Sequence, residues 1–300
     1  MMTEKEIEIQ GGRLTYEVRN NAICIKSCKV ILSRVIIPPL IDNFPVTMID
    51  KKAFLSCKSL KEVWLPEGLA ELGDWAFAYC SSLEALYLPK RNLKMGKGVF
   101  KDCDRLVTIC PLDLDGQYDG RVGCLLGAIP GKLEADYLFT PGEAGEKEWL
   151  FRFDDRLREF LVTADEEGFV KMVYCGEEDI VANVEFYLAE RKREKARLCY
   201  LRLINDMELS EDFRGELEGY LAAHTKGCES EAAWEVVFKE HGNERSYYEA
   251  FTQADCLTED NYDEILLEMG ESCPEMKAYL MRWQSQEGTK EDFFEGLSLD

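Results

Sequence analysis

Residues 60–83 read LKEVWLPEGLAELGDWAFAYCSSL, and the fold turns on this stretch. Val63 and Leu65 alternate with Glu62 and Trp64, the period of two that marks a strand, and Pro66 ends it because proline has no N–H for a ladder. From Leu72 the spacing changes: Ala76, Phe77, Cys80 and Leu83 recur at three and four, so the chain turns and packs a helix-like face. The same residue types return 23 positions away. Phe54, Phe77 and Phe100 keep this step, as do Cys57, Cys80 and Cys103; Leu60, Leu83 and Leu106; Val63, Leu86 and Ile109; and Ile49, Leu72 and Met95. Pro66 and Pro89 follow the short strands, and the third unit moves its proline to Pro111. A step held in so many registers is an internal repeat.

A period of 23 lies in the leucine-rich range, where each unit supplies a short strand and a turn. One unit cannot bury its own apolar face; stacked neighbours make the core continuous. The residues Val63-Trp64-Leu65-Pro66, Leu72-Gly73, Ala76-Phe77 and Cys80-Ser81-Ser82-Leu83 resemble the BspA-type leucine-rich repeat. Ile36-Ile37-Pro38 through Pro45–Ile49 looks like that family's longer opening unit, since 28 residues separate Val35 from Val63. The resemblance covers about Ile23–Pro111, with Asp50 standing where later units have Gly73 and Gly96, and Val99 where the middle unit has Ala76. It implies a solenoid and a binding role, because family members are often surface-exposed adhesion or binding proteins.

The expected fold class is α+β: a short leucine-rich-repeat solenoid of about 23-residue units followed by an all-α helical domain. The expected divisions are 1–111 for the N-terminal cap and repeats, 112–148 for a capping or linker segment, and 149–300 for the acidic helical domain. Pro111–Glu148 is rich in Gly and Pro, which punctuate turns and linkers. Its middle, Val122–Pro130, reads either as a degenerate further repeat or as a cap. From Glu148 onward Trp149, Phe153, Leu157, Phe160 and Leu161 recur at helical spacing, and 198–204 (LCYLRLI) is apolar around most of a helix, as in a central buried one. Ser210 and Thr258, each followed by two acidic residues, mark helix starts. Residues 235–238 and 264–267, and 247–251 and 276–280, echo each other at an offset of 29. The region therefore reads as an irregular helix-pair array or a plain bundle.

Charge separates the halves. The chain of 300 residues carries a net −22, yet residues 1–110 hold 16 basic against 13 acidic side chains, and the remaining 190 hold 20 against 45. The acidic half repels phosphates, so neither nucleic acid nor an anionic membrane is the expected partner. Residues 1–6 run into alternating charge and not into an apolar h-region, and no stretch approaches the roughly 18–20 apolar residues of a membrane span. The expected location is cytoplasmic, with the 12 cysteines as free thiols, several of them at the repeat's core position.

Chemistry is sparse. His224 and His241, the two histidines present, lack a Gly-x-Ser-x-Gly elbow and read as surface or helix-end residues. Cys24 and Cys28 form a lone four-residue spacing on an expected strand, below what a zinc site needs. Asp113, Asp115 and Asp119 alternate as calcium ligands would, but the twelfth position of the loop falls on Leu126, leaving an acidic turn. Met95-Gly96-Lys97-Gly98 lacks the P-loop frame. The basic run Arg191–Arg197 reads as a solvated helix face, and Glu177, Glu178 and Asp179 have nothing to set two of them across a substrate. No catalytic residue, cofactor or metal is expected.

If Val63 and Leu65 point inward, Glu62 and Trp64 point outward, and so do Arg34/Ile36, Ala85/Tyr87 and Thr108/Cys110. Ile36, Trp64, Tyr87 and Cys110 then form one apolar ladder, the kind of surface that marks a contact. It faces either the chain's own helical half or a partner. The expected function is non-catalytic protein–protein interaction through Arg34, Ile36, Glu62, Trp64 and Tyr87. The alternatives are carbohydrate or small-ligand binding through Trp64 and Tyr87, and an enzyme with a site between the halves.

Overall fold

The computed structural model describes residues 4–133, 135–167, 169 and 184–297. The first part is built of β1 (Lys5–Ile9), β2 (Gly12–Arg19), β3 (Ala22–Val30), β4 (Arg34–Ile36), β5 (Leu40–Ile41), β6 (Phe44–Ile49), β7 (Glu62–Trp64), β8 (Glu71–Leu72), β9 (Ala85–Pro89), β10 (Lys94–Met95) and β11 (Thr108–Leu112). β1, β2 and β3 form an antiparallel meander, and β3 then pairs in parallel with β6, so the meander caps the first rung. One side of the solenoid is the parallel row β4-β7-β9-β11 and a second continues β6-β8-β10.

The 23-residue step is realised as register. Val35, Val63, Leu86 and Ile109 lie opposite one another across the four-stranded row, and all are fully buried. The turn segments make a third ladder. The Phe54 N–H donates to the Ala76 carbonyl at 2.8 Å, and the Phe77 N–H donates to Val99 at 2.9 Å. Phe54 and Phe77 stack at 4.8 Å between ring centroids, and Phe77 and Phe100 at 6.0 Å. Such a phenylalanine column fills the axis of the repeat, where each ring buries apolar surface that no single rung could cover. The glycines after the second-side strands answer a spatial need. A Cβ on Gly96 would lie 2.3 Å from the Asp74 backbone nitrogen, and one on Gly73 would lie 2.5 Å from that of Lys51. Asp50 is tolerated at the corresponding point because its neighbour is β3, where its carboxylate meets Lys26.

The segment 122–130 is helical and packs on the last strand of the row. α1 (Gly120–Ala128) starts at Asp119, whose carboxylate accepts the Arg121 N–H at 2.9 Å, and it continues as a π-turn over Ile129–Leu133. α1 lies on β11 through its glycines: a Cβ on Gly123 would sit 2.6 Å from the Cys110 sulfur, and one on Gly127 would sit 2.5 Å from the Val107 carbonyl oxygen. A solenoid needs such a cover, since an open last rung would expose its core.

The chain divides into two compact units, residues 1–158 and 159–300. The division falls within α2 (Lys147–Val162), later than the 148/149 break read from composition. The reason is packing. Trp149 and Phe153 are fully buried, the Trp149 indole donates to the Leu138 carbonyl at 2.9 Å, and Arg156 donates to that of Leu133 at 2.9 Å.

The second unit contains α3 (Val184–Ile204), α4 (Glu211–Ala223), α5 (Ala232–Glu235) with a π-turn over Val236–Glu240, α6 (Arg245–Gln253), α7 (Glu259–Met269) and α8 (Pro274–Leu297). α3 is central, packing on α4, α5 and α6, with Leu198, Cys199 and Tyr200 essentially inaccessible. Its buried Arg202 donates to the carbonyls of Asn205 at 2.6 Å and Met207 at 2.9 Å, which satisfies the chain just past the helix end. Ser210 caps α4 by accepting the Phe213 N–H, and Thr258 and Asn261 form a reciprocal capping box on α7. α5–α6 and α7–α8 follow as pairs whose second helices begin 29 residues apart, at Arg245 and Pro274. Lys226, almost fully buried, meets Glu231, Glu264 and Glu268 at 3.2, 3.3 and 2.9 Å and so ties the start of one pair to the next.

Candidate functional site

The outward side of the four-stranded row carries the expected ladder, shortened by one rung. Ile36, Trp64 and Tyr87 stand side by side in register and are half-buried. Trp64 and Tyr87 stack at 3.9 Å with an 11° interplanar angle. The Arg34 guanidinium lies over the indole ring, 5.2 Å from its centre, and pairs with Glu62 at 3.1 Å. Glu62 also accepts the Trp64 indole N–H. One carboxylate thus holds both the cation and the ring. The result is a pre-organised strip, cation on tryptophan on tyrosine, on a backbone that parallel pairing keeps rigid.

Cys110 does not join it. The residue has no exposed surface, because α1 covers the last rung, and burial pushes its thiol up to about 12. The strip ends instead at Tyr118, which meets Tyr87 edge-on at 5.4 Å. Burial, reinforced by the Tyr118 hydroxyl, pushes the Tyr87 phenol up to about 12. Sequence reasoning missed Tyr118 because it lies in the irregular turn before α1, outside the repeat. Its place next to Asp119, an N-cap residue, was the available signal.

The other candidates are drawn into structural work. His224 and His241 both sit at helix C-caps. His224 is buried, with its Nδ1 3.0 Å from the Ser230 hydroxyl, and His241 stacks on Tyr247 at 3.6 Å and meets Glu244 at 2.9 Å. The basic run on α3 is matched by carboxylates: Arg191 with Glu194, Arg193 with Glu190 and Glu235, Lys195 with Asp165, and Arg197 with Glu190 and Glu240. Asp113 and Asp119 diverge, the first to Lys90 at 3.3 Å and the second to Arg121 at 2.9 Å. Met95–Gly98 forms the end of β10 and the turn after it. Glu177, Glu178 and Asp179 lie outside the described residues.

Cys24 and Cys28 part company. Cys28 is paired through its carbonyl with the Cys57 thiol, whereas Cys24 stands with Glu17 and Asp50, their ligand atoms within 4.8 Å of one another. This trio is already neutralised: Arg19 pairs with Glu17, and Lys26 pairs with Asp50 and approaches Glu17 at 3.7 Å. Burial opposes ionisation of Asp50, but its bonds to Lys26 and the Lys51 N–H prevail and hold its carboxyl below the usual range. Burial and the nearby Asp50 keep Cys24 a thiol, pushed up to about 11. Two resident cations, Arg19 and Lys26, already occupy the carboxylates that a metal ion would need.

Solved structures with some likeness to the chain are leucine-rich repeat proteins. A T. pallidum leucine-rich repeat protein is 29% identical with a TM-score of 0.28, over 34% of this chain and 59% of its own. One from Bacteroides ovatus is 28% identical with a TM-score of 0.30, over 34% of this chain and 28% of its own. A leucine-rich cell surface protein of Faecalibacterium prausnitzii is 21% identical with a TM-score of 0.30, over 37% of this chain and 30% of its own. The chain thus spans about three-fifths of the T. pallidum protein and under a third of the other two. No curated protein matches. The model for the BspA type leucine-rich repeat region matches residues 26–112 in six copies, the interval over which the rungs, the phenylalanine column and the outward strip are built. By register, core and family model together, residues 26–112 of this chain are a BspA-type leucine-rich repeat region.

Proposed function

We propose that this chain is a non-catalytic module that binds a partner protein through Arg34, Ile36, Glu62, Trp64 and Tyr87. Repeats of this family generally mediate protein interaction. The observation that carries the reading is the stacked Trp64–Tyr87 pair, clamped by Arg34 and Glu62. Tryptophan, tyrosine and arginine dominate binding energy at interfaces, and rings already locked in place lose little entropy on docking. Capture from a lysate by the wild type and by a folded Trp64→Ser/Tyr87→Ser variant tests it. A protein held by the wild type and lost by the variant supports the reading. Equal capture by both removes the strip from the interface, and quenching of Trp64 by glycans without any captured protein would turn the reading to carbohydrate.

A further inference from the structure

We infer that the third side of the solenoid, formed by the turn segments, is a second binding surface, and that its occupant is an acidic polypeptide segment with an apolar anchor residue. Trp75 and Tyr79 lie on this side, each 41% exposed, with φ of 58° and 61°. The left-handed region is costly for a bulky residue with a Cβ. The repeat imposes it here on every rung: Lys52, Trp75 and Gly98 share one such position, and Ser56, Tyr79 and Asp102 the other, all with φ between 50° and 65°. The neighbouring rungs fill these positions with small, polar or flexible residues. The middle rung places two large aromatics there and buries neither, so the core does not account for them.

Their surroundings say what they would meet. The Lys52 ammonium lies 5.0 Å from the centre of the Trp75 ring, and Gly98 lies flat against the same indole, where an added Cβ would come within 3.0 Å of it. Beyond Gly98 the surface drops into a cavity of about 490 Å³, lined by Met95, Phe100, Phe139, Lys97, Lys101 and Asp136 among others. Gly98 thus joins indole and cavity into one continuous surface. Among the described residues, Lys51, Lys52, Lys97 and Lys101 form no ion pair, although Lys61, Lys90 and Lys94 on the same unit are matched to Glu84, Asp113 and Glu71. Asp74 and Asp102 share the side and Asp136 lines the cavity; the Asp74 carboxylate accepts the Lys97 backbone N–H at 2.7 Å.

On this side four lysines without an ion pair outnumber the carboxylates of Asp74, Asp102 and Asp136, so the exposed rings stand in net positive surroundings that suit a ligand's carboxylates. The apolar part of the cavity, at Met95, Phe100 and Phe139, suits a side chain between them. In a chain with net charge −22, a short acidic peptide fits this local patch better than an extended polyphosphate, which the rest of the molecule repels.

The test titrates the full-length protein into a fluorescein-labelled peptide of aspartate and glutamate around one central phenylalanine, read by anisotropy. Saturable binding that weakens with salt is expected. It should fall by at least about tenfold in Lys97→Glu/Lys101→Glu and in Trp75→Asn/Tyr79→Asn, and stay unchanged in Trp64→Ser/Tyr87→Ser. Asparagine accepts left-handed backbone and the lysines are exposed, so both test variants should melt no lower than wild type. The inference is overturned if the wild type binds no peptide, if either test variant binds as well as wild type, or if oligo-thymidylate binds more tightly than the peptide.

Discussion

At the scale of single residues, the repeat is held by side chains that meet their own counterparts one rung away. Phe77 has no exposed surface and is stacked on both sides, by Phe54 and Phe100. Truncating it leaves a void that a rigid solenoid cannot close. Phe77→Ala should therefore cost about 3–5 kcal/mol, measured by urea unfolding. A variant with wild-type stability would mean that the column does not carry the core. The cysteines Cys80 and Cys103 follow the same logic on a smaller scale. Each is buried and donates its thiol hydrogen to a carbonyl of the preceding rung, Phe54 and Phe77, at 3.1 Å, so a small polar hydrogen-bonding group suits the position.

Among the elements, helix ends decide most of the second unit's local order. α4 ends on His224, whose ring is buried against Tyr220 at 4.3 Å and Ser230. Burial lowers its pKa below the ordinary imidazole value, outweighing the opposite pull of Glu229. A folded-state pKa below the unfolded one means that protonation favours unfolding. The contribution is whole above the unfolded value of about 6.5 and is lost as pH falls through the lower folded value. Between about pH 7.5 and about pH 5.5 the wild type should therefore lose more thermal stability than His224→Gln, followed by circular dichroism. Parallel curves would show that the ring titrates as freely in the folded chain as in the unfolded one.

For the molecule as a whole, the decisive feature is that the repeats are closed at both ends by non-repeat structure. The β1–β3 meander covers the first rung, and α1 covers the last. Residues 113–158 therefore belong to the repeat unit although their sequence carries no repeat. A fragment ending at Leu112 uncovers the rung of Ile109 and Cys110 and should aggregate or unfold. One ending at Arg158 should unfold cooperatively, as light scattering and thermal melts would show. Equal behaviour of the two fragments would deny α1 its role as a cap.

The 23-residue step, the strand and turn of each unit, the inward Val35-Val63-Leu86-Ile109 row and the outward placing of Ile36, Trp64 and Tyr87 follow from sequence, because a solenoid converts linear spacing directly into spatial register. The caps at Ser210 and Thr258 are legible for a similar reason, being local hydrogen bonding. Tertiary structure alone decided three things. Cys110 is removed from the outward strip because α1 packs over it, a contact between segments with no shared period. The unit boundary lies inside α2 because Trp149 and Phe153 are buried and Trp149 and Arg156 bond back to Leu138 and Leu133, which the unbroken helical pattern across residue 149 conceals. Trp75 and Tyr79 stand exposed on left-handed backbone, because the stacked turns set that conformation for every rung whatever side chain occupies it.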